Sequence, residues 1–506
     1  MLDSMRPKAK RPDNAIRTID SPDQIKPTAF ASDESLDTRT SAQKYWTVVV
    51  CGIALLSDGY VASSIGTVLV ILKHLYPEES KGSRGLQLLG SISFVGTVVG
   101  QLCFGYVTDR VGRKNGMLIA TSLLILWTAM CAGAYGLNGS IPGLFAAITC
   151  YRAFLGFAIG AEYPTSSCAA SETSAETPSG KRHFIFVLVT NTAIDMGFVL
   201  GAFVPYILVL ILTANHLRAV WRMTIGLGVV VPLSLFYFRV KMHEPKAFKR
   251  MGGRNVKIPY TLILKRYWLK LAAISFIWFV YDFASYSFGL YSATITDAVL
   301  PAGSSYAKTF GWNTLLNVFY LPGSILGAYA SDIIGPKRCL IIGLVLQATC
   351  GFFLAGFYEK ILANGIAGFI VFYGIFLSLG EFGAGNSIGL LAAKSSSSMA
   401  RGQYYAIAAA IGKIGAFVGS YAFPSIASRF SSTNAGYKGD FYVASAMAIC
   451  AAMVAFFFVS ELSQECIQQE DCDFVDYLQD NGFDISQLSR SSSLESQDGK
   501  VKELKE

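Results

Sequence analysis

Long apolar stretches, each near the ~20 residues that carry a helix across a bilayer, follow one another along this chain with short polar connections between them. Six lie before a basic break: about Tyr45 to Leu72, Leu86 to Val107, Met117 to Leu137, a fourth after the Asn138 turn, Phe184 to Leu212 and Ala219 to Phe238. Six more follow it: about Tyr267 to Ile295, Phe310 to Ala330, Cys339 to Phe357, Gly365 to Ala393, Gln403 to Ile426 and Phe441 to Val459. The break, Arg239 to Arg266, holds nine Lys and Arg against the single acid Glu244. Basic loops stay in the cytosol, and an even count of spans then puts both termini there.

Composition agrees with a chain whose main solvent is lipid: of 506 residues 52% are hydrophobic and 15% charged, with 48 glycines. The net charge of +8 is gathered in loops beside apolar segments, so it is a topology signal and no nucleic-acid partner is expected. The predicted fold class is an all-α membrane protein of twelve transmembrane helices in two six-helix bundles. Residues 1–44 are expected to be a disordered cytosolic arm, 45–238 and 267–459 the bundles, 239–266 a basic linker, and 460–506 a cytosolic tail with serines around Arg490 suited to phosphorylation. The ten cysteines are scattered without metal or disulfide spacing. His74, His183, His216 and His243 sit at or near segment ends, so no enzyme site, metal or cofactor is expected.

The fourth stretch places Arg152 and Glu162 in a glycine-rich apolar run. Ionisable groups at that depth are costly and usually serve a pathway or a partner inside a bundle. Glu162 is expected to face a cavity, while Gly156 and Gly160 let a neighbouring helix approach closely. Asp58, Asn191, Asp195, Asp282, Glu381 and Lys413 are further polar groups inside apolar stretches. Features also recur about 223 residues apart: Asp58 with Asp282, Asp109 with Asp332, Gly156 with Gly380, and Glu162 with Asn386. Such an offset is the mark of two parallel halves around a midplane site.

The run Gly105-Tyr-Val-Thr-Asp-Arg-Val-Gly-Arg-Lys114 resembles the loop between helices two and three of the major facilitator superfamily, in which Gly105, Asp109, Arg110, Gly112, Arg113 and Lys114 would form a gating motif, with Asp332 as its echo. Within that superfamily the chain, from about residue 45 to 480, resembles fungal glycerophosphodiester permeases, relatives of proton-coupled phosphate transporters. The resemblance rests on Ser57-Asp-Gly-Tyr60, Gly160-Ala-Glu-Tyr-Pro-Thr-Ser166, Val189-Thr-Asn191, Trp278-Phe-Val-Tyr-Asp-Phe283 and Ile411-Gly-Lys-Ile-Gly-Ala-Phe-Val-Gly419. It implies a phosphate site of Glu162 and Tyr163, Trp278, Asp282 and Tyr286, and Lys413, with Asn191 beside them; the internal repeat adds Asn386, which falls opposite Glu162. Free-phosphate carriers of that group have an aspartate in helix four and a second one in helix one. Here Glu162 and Asp58 alone stand in those places.

A phosphodiester carries one negative charge, which calls for a buried cation, and lysine serves as a compact one. Lys413 lies twelve residues past Arg401, about 18 Å along a helix, and so near midplane. Asp282, Glu162 and Asp58 are the candidate proton carriers. Asp195, Glu381 and Tyr281 are candidates for holding a head group, choline being favoured over inositol because acids and aromatic faces suit a quaternary ammonium. The function expected is proton-coupled uptake of a small phosphodiester across the plasma membrane by alternating access. An inorganic phosphate or sugar carrier, or a nutrient sensor on the same fold, are the alternatives.

Overall fold

The computed structural model describes residues 40–80, 83–178, 180–242, 244–250, 258–301, 303–427, 429–430 and 433–483. The N-terminal arm up to residue 39, residues 251–257 of the basic linker, His243, and the serine cluster of the tail lie outside those residues. Among the described residues the regular structure is helical. Among the described residues eleven helices are long and apolar enough to cross a membrane: α1 Ala42–Leu75, α2 Leu88–Arg110, α3 Arg113–Ala132, α4 Ile141–Ser174, α5 Arg182–Leu212, α6 Ala214–Val240, α7 Tyr260–Val299, α9 Pro336–Gly356, α10 Ile366–Lys394, α11 Arg401–Ile426 and α12 Ala435–Phe458.

The eighth stretch is divided into α8a Tyr306–Val318 and α8b Tyr320–Ile333. Pro322 has no N–H to give to the carbonyl of Val318, and the ladder breaks there. Phe319 keeps helical torsions (φ −64°, ψ −17°), so the chain continues in the same direction. With it the twelve expected spans are accounted for.

Close contact between helices is obtained with glycine, because lipid offers no hydrophobic drive to push apolar helices together and packing must do the work. A Cβ on Gly156 would lie 2.0 Å from Ser93 O and one on Gly160 2.2 Å from Thr97 O, so α4 rests directly on the backbone of α2. The second half repeats this device. Gly323 and Gly327 of α8b would meet Ser378 O at 2.0 Å and Phe382 O at 2.3 Å on α10. Gly412, Gly415 and Gly419 likewise seat α11 against Trp278, Phe279 and Phe283 of α7. The first six helices pack mainly among themselves and so do the last six, and the two sets meet along α2–α11, α5–α8 and α1–α7. Large apolar side chains such as Leu102, Ile211, Leu326 and Phe456 are left on the outer surface, where a bilayer covers them.

One expectation for the chain's polar segments needs correction: the linker is expected to begin at Arg239, yet α6 runs to Val240 and Arg239 is fully buried. In the tail, Cys466–Asp480 forms a further helix, α13. Its Ile467, Asp471, Phe474 and Leu478 recur on one face and are buried, the spacing of an amphipathic helix.

The α2–α4 contact leaves no room for a side chain at its glycines. Gly156→Val puts a branched side chain where a backbone carbonyl lies 2.0 Å from the Cβ position. The variant is expected to lose most folded protein, read as the monodisperse peak in detergent, whereas Gly143→Ala on the same helix, where the Cβ meets nothing nearer than 3.3 Å, should keep it.

Candidate functional site

A cavity of about 50 Å³ lies between the halves, walled by α4 and α5 on one side and α7, α10 and α11 on the other, with Leu55 of α1. That volume holds a few water molecules. The polar groups around it form two clusters.

The first cluster is built on Lys413, which is 1% exposed. Its Nζ lies 3.3 Å from Asp282 Oδ2 and 3.7 Å from Asp58 Oδ2. It also sits over two phenol rings, 3.4 Å from the centroid of Tyr286 and 4.9 Å from that of Tyr163. Both hydroxyls turn to Asp58: Tyr286 donates to Oδ2 at 2.7 Å, and Tyr163 donates to the same oxygen. Asp58 therefore accepts two hydroxyls with the ammonium beyond them, while Asp282 Oδ2 has the ammonium nearer and no hydrogen bond. Trp278 lies flat against α11 because Gly412 has no Cβ, which would stand 2.4 Å from its indole.

The second cluster is acidic. Asn191 Nδ2 donates to Glu381 Oε2 at 2.8 Å and Asn386 Oδ1 at 2.9 Å, with Asp195 Oδ2 at 3.4 Å. Tyr281 donates to Glu381 Oε1 at 2.7 Å, and Asn386 donates to Ser324 O at 2.7 Å. Residues 381–385, Glu-Phe-Gly-Ala-Gly, form a π-helical turn within α10. A five-residue turn brings Glu381 and Asn386 onto one face, and the cavity takes both.

The gating motif builds a latch away from the cavity. Gly112 (φ +107°) turns the chain between α2 and α3, as Gly335 (φ +88°) does between α8b and α9. Asp109 accepts the N–H groups of Gly402 and Gln403 at 2.9 Å each, capping α11. Asp332 does the same for α5, accepting from His183 N at 3.1 Å and Phe184 N at 3.0 Å. Each half thus caps a helix of the other. Carboxylates are stabilised at helix N-termini, where free N–H groups and the helix dipole converge. Arg113, fully buried, joins Glu172 (2.8 Å), Asp109 (3.2 Å) and Ser398 O (3.0 Å), and Arg401 joins the same Glu172 at 2.9 Å. Gly105 lets α11 approach, a Cβ there falling 2.5 Å from Ala406. Arg110 lies 6.0 Å from the Tyr106 ring, and Lys114 gives its N–H to Glu244. On α13, Asp471 accepts from Ser398 N at 2.6 Å and from the hydroxyls of Ser397 and Ser398.

Residues 45–258 and 249–473 each match the family described as sugar (and other) transporters. The major glycerophosphoinositol permease GIT3 of Candida albicans is 47% identical over 91% of this chain and 87% of its own. The glycerophosphocholine permease GIT4 of the same organism is also 47% identical, over 92% and 88%. The chain belongs to the major facilitator superfamily, among the fungal glycerophosphodiester permeases. Among solved structures, the proton:xylose symporter XylE bound to 6-bromo-6-deoxy-D-glucose superposes with a TM-score of 0.72 at 16% identity, over 86% of this chain and 99% of that one.

In this permease Glu162 does not line the cavity, contrary to the expectation from sequence. Arg239 Nη1 holds it at 2.7 Å and 2.9 Å, Ser166 donates to it at 2.5 Å and Thr121 at 3.0 Å. Arg239 is satisfied in turn by Cys51 O and Ser166 Oγ. Such a closed, buried pair ties α4 to α6, α3 and α1. Arg152 is also structural, donating to Leu89 O at 2.8 Å and Ser93 Oγ at 3.1 Å, and does not reach the acidic cluster.

Removing one partner of a buried pair strands the other charge, at about 3–5 kcal/mol. Glu162→Ala is expected to lower the melting temperature in detergent and the yield of folded protein, and Glu162→Ala with Arg239→Met to regain much of both. A single variant of full stability but without transport would instead place Glu162 in the transport chemistry.

Proposed function

We propose that this permease imports glycerophosphodiesters with protons across the plasma membrane, its halves spanning residues 45–238 and 267–459 and both termini in the cytosol. Lys413 carries the reading: a midplane ammonium, contested by two carboxylates and roofed by two phenols, in a cavity too small for a phosphodiester until its walls part. The names of its relatives supply the substrate class.

The charges explain the coupling. Lys413 between Asp58 and Asp282 leaves one excess negative charge, so a phosphodiester anion entering that site meets repulsion as well as attraction. Protonation of Asp282, whose Oδ2 accepts no hydrogen bond, removes one competitor and leaves the ammonium facing the phosphate. Proton and anion therefore favour each other's binding. Tyr163 and Tyr286 are placed to turn their hydroxyls from Asp58 to the phosphate oxygens, and Trp278 bounds the space beside them.

The acidic cluster takes the other end of the substrate. Glu381 and Asp195 have no salt bridge among the described residues, and Tyr281 stands beside them. A choline head group would bring one positive charge to these acids, while its phosphate reaches Lys413. An inorganic phosphate carrier has no use for this second acidic end.

Uptake of labelled glycerophosphocholine by cells lacking their own carriers tests the reading. Raising external pH from about 5 to about 8, a range in which buried carboxylates titrate, is expected to lower uptake at least several-fold, and a protonophore to abolish accumulation. Independence from both would contradict proton coupling. Lys413→Ala, present at the surface, should lose nearly all uptake, and Lys413→Arg should fare little better, since a wide planar group cannot replace a point charge there. Excess unlabelled glycerophosphocholine is expected to block uptake better than glycerophosphoinositol, with the margin shrinking in Glu381→Gln. The reverse order would reassign the head group.

A further inference from the structure

Phe186 on α5 is part of the cavity wall, and the same ring has Lys394 Nζ 5.8 Å from its centroid. Lys394 is the last residue of α10 and is 1% exposed. Among the described residues it forms no salt bridge. The titratable and charged groups that face it are Arg182 and His183 at the start of α5, Arg401 at the start of α11 and Asp332 at the end of α8b, with the Cys466 thiol of α13.

That balance is positive. Asp332 is already committed to two N–H groups of α5 and to Gln464. Arg401 is held by Glu172, which also answers Arg113. Arg182, itself 7% exposed, donates to carbonyls only, Thr177 O at 2.9 Å and Gln464 O at 3.5 Å. His183 Nε2 and Ser396 Oγ are buried without any hydrogen-bond partner. Buried cations normally have anionic partners, and here two of them, with unused polar atoms nearby, stand one aromatic ring beyond the cavity.

We propose that Lys394 and Arg182 form an exit site for the phosphate of the transported phosphodiester. As the latch opens and Phe186 moves, the anion passes from Lys413 to Lys394 before it reaches the cytosol, so it is never left without a cation along the way. The inference rests on the reading that Lys413 binds the diester and that the latch face is cytosolic.

Full-length protein in proteoliposomes, with glycerophosphocholine presented to one face at a time, separates this site from Lys413. Lys394→Gln is expected to raise KM from the latch face about tenfold, the scale of one charge-assisted hydrogen bond, and to leave KM from the opposite face within about twofold. Lys394→Arg, which keeps the charge, should restore most of the loss. Equal changes from both faces, or none from the latch face, would overturn the exit site. Should Lys394→Gln fail to fold, Arg182→Gln asks the same question of the second cation and is judged by the same asymmetry. Lys413→Ala in the same vesicles keeps the two readings apart. If it transports normally, the substrate assignment falls; if it is dead while Lys394→Gln acts symmetrically, only the exit site falls.

Discussion

A single buried ammonium, Lys413, caught between Asp58 and Asp282, is the interaction on which the rest of the molecule depends. Its position draws on four helices: α11 carries it, α7 brings Asp282 and Tyr286, α4 brings Tyr163 and α1 brings Asp58. Because α1 and α4 belong to one half and α7 and α11 to the other, the Lys413–Asp58 pair and the Tyr286–Asp58 hydrogen bond bridge the halves at the level of the cavity, while the Lys413–Asp282 pair lies within the second half. Whatever neutralises either carboxylate loosens the hold on the ammonium. Whatever brings a competing anion needs it loosened. Coupling in this account is thus a consequence of charge balance at one lysine and requires no separate relay.

The glycine contacts give that lysine its precision. Gly412, one residue away, accepts the Trp278 indole, and Gly415 and Gly419 hold the next two turns of α11 on α7. At the latch face, Asp109 and Asp332 cap α11 and α5 across the halves. Those caps sit at the starts of the helices that carry Lys413 and Asn191, so rocking of the halves is transmitted directly to both polar clusters.

Much of this was legible in the sequence, and what was not has particular causes. The apolar stretches and the 223-residue echo marked the fold, and the echo reappears as paired positive-φ glycines at 112 and 335. Lys413 and the acids stood out because charge inside an apolar run demands a reason. Glu162 stood out equally and misled, because its partner Arg239 lies 77 residues on, at the head of a basic run that reads as linker. The weight on Asp58 could not be read, since its donors come from residues more than 100 positions away. The π turn that aligns Glu381 with Asn386 shows in sequence only as three closely spaced glycines. Helix α13 had a readable pattern at Ile467, Asp471, Phe474 and Leu478, hidden by the polar composition around it.

The most direct measurement of the contested lysine is the affinity of purified protein for glycerophosphocholine, measured by calorimetry across pH, for the wild type and for Asp282→Asn. If the carboxylate competes with the phosphate for Lys413, wild-type binding weakens as pH rises, and Asp282→Asn binds at least as tightly at high pH as the wild type does at low pH, with little pH dependence left. Weaker binding by Asp282→Asn at every pH, with the wild-type pH profile retained, would contradict the account.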